Sequence, residues 1–75
     1  MKKTYQITEG GKADLEKELA ELKGRRGEIA EKIAAARDFG DLSENAEYDA
    51  AREEQGLLET RILEIEDILQ NAEII

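Results

Sequence analysis

Two stretches of apolar residues at heptad spacing constrain the fold of this sequence most strongly. In the first stretch, apolar side chains recur in alternating steps of four and three residues from Leu15 to Ala36. In the second stretch they recur in steps of three and four from Tyr48 to Leu69. This spacing places apolar residues on one stripe of an α-helix, as in coiled coils. The sequence therefore predicts an all-α fold with two long helices.

The two stripes are mirror images of each other about Gly40 and Asp41. This symmetry predicts an antiparallel coiled-coil hairpin. The expected helices cover about residues 9–38 and 44–71, and the tip of the hairpin covers about residues 39–43. Each helix would then be roughly 42–45 Å long. The chain is accordingly expected to be a single small domain shaped like a rod.

The mirror symmetry also predicts which residues face each other across the hairpin. The expected pairs are Ile33 with Tyr48, Leu19 with Ile62, and Ile29 with Ala51 to within one residue. Each stripe has one polar interruption, which is Arg26 in the first and Gln55 in the second. Since the same register makes them face each other, we expect one polar layer that fixes the register.

The stretch KGRRGE raises an alternative to the hairpin. Gly24 and Gly27 each cost about 1 kcal/mol relative to Ala inside a helix, so a break here would give a three-helix bundle. The heptad phase runs through the stretch without a slip, which favours one continuous helix. Thr8 is the expected N-cap of that helix, and Phe39-Gly40 is its expected end.

Composition narrows the chemistry available to the chain. The sequence has 75 residues, no Cys and no His, which excludes disulfides, thiolate zinc sites and nucleophilic sites that depend on His. Carboxylates remain, and they suit hard cations such as Mg²⁺. The net charge of −8 argues against a surface that grips nucleic acid through its phosphates. The N-terminus lacks a signal peptide and no run of apolar residues approaches the length of a membrane span, so we expect a cytoplasmic protein.

Five carboxylates surround the predicted tip: Asp38, Asp41, Glu44, Glu47 and Asp49. Helix capping explains part of this cluster, because Asp41 and Glu44 fit a capping box, and Ser43 is a competing cap. Capping does not require all five acids, and Asp38 would lie unfavourably at the end of the first helix. The alternative is half of a metal site that a partner completes, since a few carboxylates alone bind Mg²⁺ weakly.

Other residues at the tip also have two interpretations. Arg37 and Arg52 are expected to form ion pairs with neighbouring acids, or to contact a phosphate or a partner. Tyr48 is expected in the apolar seam rather than as a platform for base stacking. Phe39 has no place in the seam and is therefore a candidate contact residue. The apolar end NAEII either continues into another domain or strand or folds back over the open end of the hairpin, and it is a candidate self-association surface.

The stretch ARDFGDLSENAEYDAAREEQG, residues 36–56, resembles the hairpin tip of the Gre transcript-cleavage factors of bacterial RNA polymerase, the GreA type in particular. The resemblance extends to ITEGGKADLEKELAELK and to NAEII, and thus over the whole chain. It implies an N-terminal coiled-coil domain without the C-terminal domain that anchors such factors on the polymerase. It also implies a protein that is no enzyme itself but stimulates RNA cleavage by the polymerase.

The resemblance further implies partners and residue roles. The hairpin would enter the secondary channel of RNA polymerase and reach the 3′ end of the nascent, backtracked RNA. Asp41 and Glu44 would be the catalytic residues, sharing Mg²⁺ with the polymerase. Tip support or contact with RNA or polymerase would fall to Arg37, Phe39, Ser43, Asn45 and Arg52. The acidic stretch REEQGLLE favours GreA-like action on short backtracked RNA, and DNA binding is a further attribute expected of the family.

Two other functions remain open at this stage. A family member could occupy the same channel and inhibit the polymerase without promoting cleavage. The chain could also be a structural coiled-coil module, in which case substitutions at the tip would cost only the roughly 1 kcal/mol of a lost helix cap.

Overall fold

The computed structural model describes residues 4–39 and 45–75, in which two long helices lead from and return to a small sheet. The elements in order are β1 (Tyr5–Ile7), α1 (Glu9–Arg37), α2 (Ala46–Gln70) and β2 (Ala72–Ile74). The helices pack antiparallel in an elongated molecule with principal extents of 52 × 26 × 13 Å. The predicted all-α hairpin is therefore confirmed, with a two-stranded sheet added at its open end. Neither helix in the described ranges is long and apolar enough to cross a membrane.

Helix α1 is one continuous helix of 29 residues. Thr8 is its N-cap, and the Thr8 hydroxyl oxygen accepts a hydrogen bond from the Gly11 N–H at 2.9 Å. The helix passes through Gly24 and Gly27 without a break, so the three-helix alternative is wrong. It ends at Arg37, one residue before the predicted end.

The core is a narrow apolar seam between the helices. Its buried members are Ile29, Ile33, Ala36, Ala51, Leu58, Ile62 and Ile65. Ile62 and Ile65 have no exposed surface. The six residues of the predicted facing pairs all belong to or pack against one cluster in this seam, as the mirrored heptads indicate.

The predicted polar layer takes a different form. Arg26 and Gln55 line the same shallow groove, but the Arg26 Nε–H donates to the carboxylate of Glu59 at 3.0 and 3.1 Å. The Arg26 side chain is 48% exposed, and none of the polar residues in the described ranges is buried. The expectation of a polar layer inside the seam is therefore corrected. A long Arg side chain can leave a seam position and place its charge in water beside an acid.

Four ion pairs flank the seam and join the helices: Glu18–Arg61, Lys23–Glu66, Arg26–Glu59 and Lys32–Glu54. The first is the best formed, because the Arg61 guanidinium donates to both Glu18 carboxylate oxygens, at 2.8 and 3.1 Å. This hydrogen bonding lowers the pKa of Glu18 and raises the pKa of Arg61. Pairs this exposed stabilise little individually, but together they favour one register and orientation.

The last residues fold back over the open end, as one of the two predicted alternatives states. Strand β2 pairs parallel with β1, with Tyr5 opposite Ala72 and Ile7 opposite Ile74. Parallel strands require a long crossover connection, and here the whole helical hairpin is that connection. The Tyr5 hydroxyl donates to a carboxylate oxygen of Asp67 at 2.8 Å, and this hydrogen bond raises the pKa of Tyr5.

We expect Gly24→Ala and Gly27→Ala each to raise the free energy of unfolding by about 1 kcal/mol. A Cβ atom added at either position meets no atom within 4 Å, so the gain in helix propensity has no steric cost. Urea denaturation followed by circular dichroism measures the effect. Gly11→Ala is the control, because its Cβ would lie 3.2 Å from the Thr8 hydroxyl and the gain there should be smaller. A loss of stability at Gly24 or Gly27 would contradict the prediction.

We expect Glu18→Gln to destabilise the chain at neutral pH but not in acid. Because the folded-state pKa of Glu18 lies below its ordinary value of 4.5, its contribution is fully present above that value. The contribution is then lost as the pH falls through the lowered pKa. Thermal unfolding of both proteins from neutral pH to about pH 3 tests this.

Arg61→Gln provides the control for the acid titration. In that background the guanidinium is gone, so the effect of Glu18→Gln should lose its pH dependence. A difference between the parent and Glu18→Gln that stays constant across the pH range would contradict the prediction.

Candidate functional site at the hairpin tip

The last turn of α1 and the first turn of α2 flank residues 40–44 in the sequence and are the described parts of the chain nearest to that segment. We call Ala36, Arg37, Asn45 and Tyr48 the hairpin neck. Two small residues, Ala36 and Ala51, are buried near the neck and line the same groove. Small seam residues let two helices approach closely, which brings polar groups of one helix end within reach of the other.

Asn45 bonds to both helices of the neck through one side chain. Its amide oxygen accepts a hydrogen bond from the Tyr48 N–H at 3.0 Å, which makes Asn45 the N-cap of α2. Its amide nitrogen donates to the backbone carbonyl of Ala36, one of the last carbonyls of α1, which lack partners within the helix. The same side chain therefore caps the start of α2 and satisfies the end of α1.

The position of this cap corrects the expectation that Asp41 or Ser43 caps the second helix. The helix begins at Ala46 after Asn45, two residues later than predicted. Asn is as good an N-cap as Asp or Ser, but the sequence analysis weighed only Asp41 and Ser43 and missed Asn45. Asp41, Ser43 and Glu44 themselves lie outside the described residues.

Arg37 lies against the aromatic ring of Tyr48, with the guanidinium carbon 5.8 Å from the ring centroid. Such a contact at an exposed position stabilises by about 0.5–1 kcal/mol. Tyr48 is partly buried and packs against the seam cluster. Since Arg37 covers one face of its ring, that face is not open to a stacking base.

Phe39 and Arg52 are exposed near the neck. Phe39 is 71% exposed and lies at the rim of a groove of about 320 Å³. The groove is lined by Lys32, Ala35, Ala36, Phe39, Glu47, Ala50, Ala51 and Glu54. Arg52 lies on the surface of α2. Both are placed where a partner at the tip could contact them.

Three of the five tip acids, Asp38, Glu47 and Asp49, lie within the described ranges, and all three are exposed. No group of three or more acids in these ranges is arranged to hold a metal ion. Asp41 and Glu44 lie outside these ranges, and their carboxylates are of the type that Mg²⁺ prefers as ligands. Mg²⁺ takes about six oxygen ligands, so these two carboxylates alone would fill only part of its coordination.

Comparison with known sequences identifies the family of this hairpin. The sequence model of a family described as "Transcription elongation factor, N-terminal" (GreA_GreB_N) matches residues 5–74. The chain belongs to this family. Transcription elongation factors GreA of Bacillus cytotoxicus and Bacillus cereus are each 55% identical to it over 74 residues, which is 97% of the chain and 47% of each relative.

A third relative in this family is the transcription elongation factor GreA of Oceanobacillus iheyensis. It is 54% identical over 76 aligned positions, which cover 100% of the chain and 48% of the relative. The chain therefore spans about half the length of these relatives. The match covers all the elements described above, from β1 to β2.

We expect Asn45→Ala to lower the free energy of unfolding by about 1–2 kcal/mol, because it removes the cap of α2 and leaves the Ala36 carbonyl without its side-chain donor. Asp41→Ala and Ser43→Ala are the comparison, and each should change stability by less than about 0.5 kcal/mol. Denaturation midpoints measure all three. A loss at Asp41 or Ser43 as large as that at Asn45 would contradict the assigned cap.

Proposed function

We propose that this chain is the coiled-coil domain of a transcription elongation factor that stimulates cleavage of backtracked RNA by bacterial RNA polymerase. The hairpin enters the secondary channel of the polymerase with its tip foremost. The chain itself is a cofactor of that reaction, and the polymerase is the enzyme. Membership of the family supports the proposal, together with relatives whose names describe them as transcription elongation factors.

The observation that carries the proposal is the position of the cap at Asn45. It relieves Asp41 and Glu44 of the capping role that local sequence rules give them. These two carboxylates then belong to the segment between the helices, at the end of a rod with a long axis of 52 Å. Carboxylates at the end of a long, thin arm suit delivery into a narrow channel.

The proposed chemistry is hydrolysis of one phosphodiester bond near the RNA 3′ end. The oxygen of a water molecule forms a bond to phosphorus, the bond from phosphorus to the 3′ oxygen breaks, and that oxygen gains a proton as the new 3′ hydroxyl. Asp41 and Glu44 would hold one cation through their oxygens and orient the water. Mg²⁺, shared with aspartates of the polymerase, would supply charge stabilisation for the entering and leaving oxygens.

The charge distribution supports action on a short RNA segment. Glu53, Glu54 and Glu59 keep α2 acidic beyond the tip, so it offers no basic track for a long extruded RNA strand. Arg37 and Arg52 are the cations nearest the tip on the two helices. Exposed Phe39 and Arg52 are proposed contacts with the polymerase or RNA. A net charge of −8 disfavours binding to DNA phosphates, so DNA binding is not part of the proposal.

The test is a cleavage assay on stalled, backtracked RNA polymerase with Mg²⁺ present. Because the chain spans about half the length of its relatives, the assay uses a chimaera in which the chain is joined to the C-terminal half of the Bacillus cereus GreA relative. We expect this chimaera to release short RNA fragments. Asp41→Ala and Glu44→Gln should each slow the release by about a hundredfold or more, as expected for loss of a group that stabilises the transition state.

Asp49→Asn is the matched control, because it removes one exposed carboxylate from the first turn of α2 and leaves the segment 40–44 intact. It should cleave close to the parent rate. Full cleavage by both Asp41→Ala and Glu44→Gln would overturn the assigned roles. Inhibition of RNA synthesis without cleavage would instead favour a channel-binding inhibitor, and no effect on the polymerase would favour a structural module.

A further inference from the structure

Asn45 makes more contacts than an N-cap requires. Ser, Asp and Asn cap helices about equally well, because all three supply an oxygen that accepts a backbone N–H. Only the amide of Asn adds N–H donors at the same reach. In this hairpin the additional donor is used, since the Asn45 amide nitrogen donates to the Ala36 carbonyl across the neck.

We propose that Asn45 is a positioning residue that locks the end of α1 to the start of α2 and so fixes the base from which Asp41 and Glu44 are presented. This inference rests on the proposed function. Asn45 would not touch RNA or the cation. It would act through the relative placement of the two helix ends.

The geometry of the acceptor supports this role. The Ala36 carbonyl accepts both the Asn45 side-chain N–H and the Phe39 backbone N–H, the latter at 3.2 Å. The hydrogen bond from Asn45 is thus made to a carbonyl in the last turn of α1. This hydrogen bond is partly buried, so water competes for the Ala36 carbonyl less than it would at a fully exposed site.

A directional bond between helix ends resists sliding of one helix along the other. A shift by one residue would move α2 by about 1.5 Å along its axis and would break this bond. Displacement of a reacting group by about 1 Å can slow a reaction by about a hundredfold. The apolar seam and the exposed ion pairs resist small shifts less well, since apolar contacts are non-directional. The Asn45 bond therefore supplies the fine positioning at the tip.

Two variants separate positioning from capping. Asn45→Asp keeps the shape and the capping oxygen but has no N–H donor, and Asn45→Ser keeps a capping oxygen on a neutral, shorter side chain. Thr8→Ala is the matched control, because it removes the N-cap of α1 at the far end of the hairpin. Its cost in stability should be about 1 kcal/mol.

The first measurement is the cleavage rate of the chimaera as a function of its concentration. We expect both Asn45 variants to lower the maximal rate by at least about tenfold, with little change in the concentration that gives half of that rate. Thr8→Ala should keep the maximal rate. Parental maximal rates in both Asn45 variants would overturn the inference, and so would an equal loss in Thr8→Ala.

The second measurement needs no cleavage and therefore separates this inference from the proposed function. The chain has no Cys, so spin labels can be attached specifically through Asp38→Cys at the end of α1 and Asp49→Cys in the first turn of α2, which replace exposed residues. We expect a broader distance distribution in Asn45→Asp and Asn45→Ser than in the parent or in Thr8→Ala. Unchanged distributions would overturn the inference even if the parent cleaves RNA, whereas a parent that does not cleave would overturn only the proposed function.

Discussion

The apolar seam between α1 and α2 is the interaction on which the rest of the molecule depends. It is only one stripe wide on each helix, so the side chains outside this stripe are exposed or partly exposed. The register of the two helices therefore decides which of these polar groups meet. Near the tip the buried seam residues include the small Ala36 and Ala51. In this region Asn45 reaches the Ala36 carbonyl and Arg37 reaches the ring of Tyr48.

The two ends of the seam are closed by different means. At the open end, β1 and β2 form a parallel pair, and the Tyr5 hydroxyl and the Asn71 amide both bond to the Asp67 carboxylate. At the tip, a single amide side chain joins the helices. Helix ends fray because their terminal backbone groups lack partners within the helix. Each closure supplies partners at these points, so the rod keeps one register along its length.

The heptad spacing was sufficient to predict the hairpin and the continuity of α1 through Gly24, because both depend on the burial of a regular stripe. Three features were not predictable in the same way. The start of α2 depended on a choice among equivalent caps, which only the contact between Asn45 and Ala36 distinguishes. The guanidinium of Arg26 lies outside the seam, because the Arg side chain is long enough to reach the carboxylate of Glu59. The strands of three residues are too short to show a periodicity. The roles proposed for Asp41 and Glu44 came from the family resemblance. Both residues lie outside the part of the chain that the structure describes.

The contacts of the neck are compatible with the cation binding that is proposed for the tip. Arg37 is placed over the ring of Tyr48, and the closure at Asn45 joins a neutral amide to a neutral carbonyl. Neither contact uses a carboxylate, so binding of a cation need not break them. An uncharged bond is also screened little by salt, unlike the exposed ion pairs along the rod. The hairpin neck can therefore keep these two contacts whether or not nearby acids are neutralised.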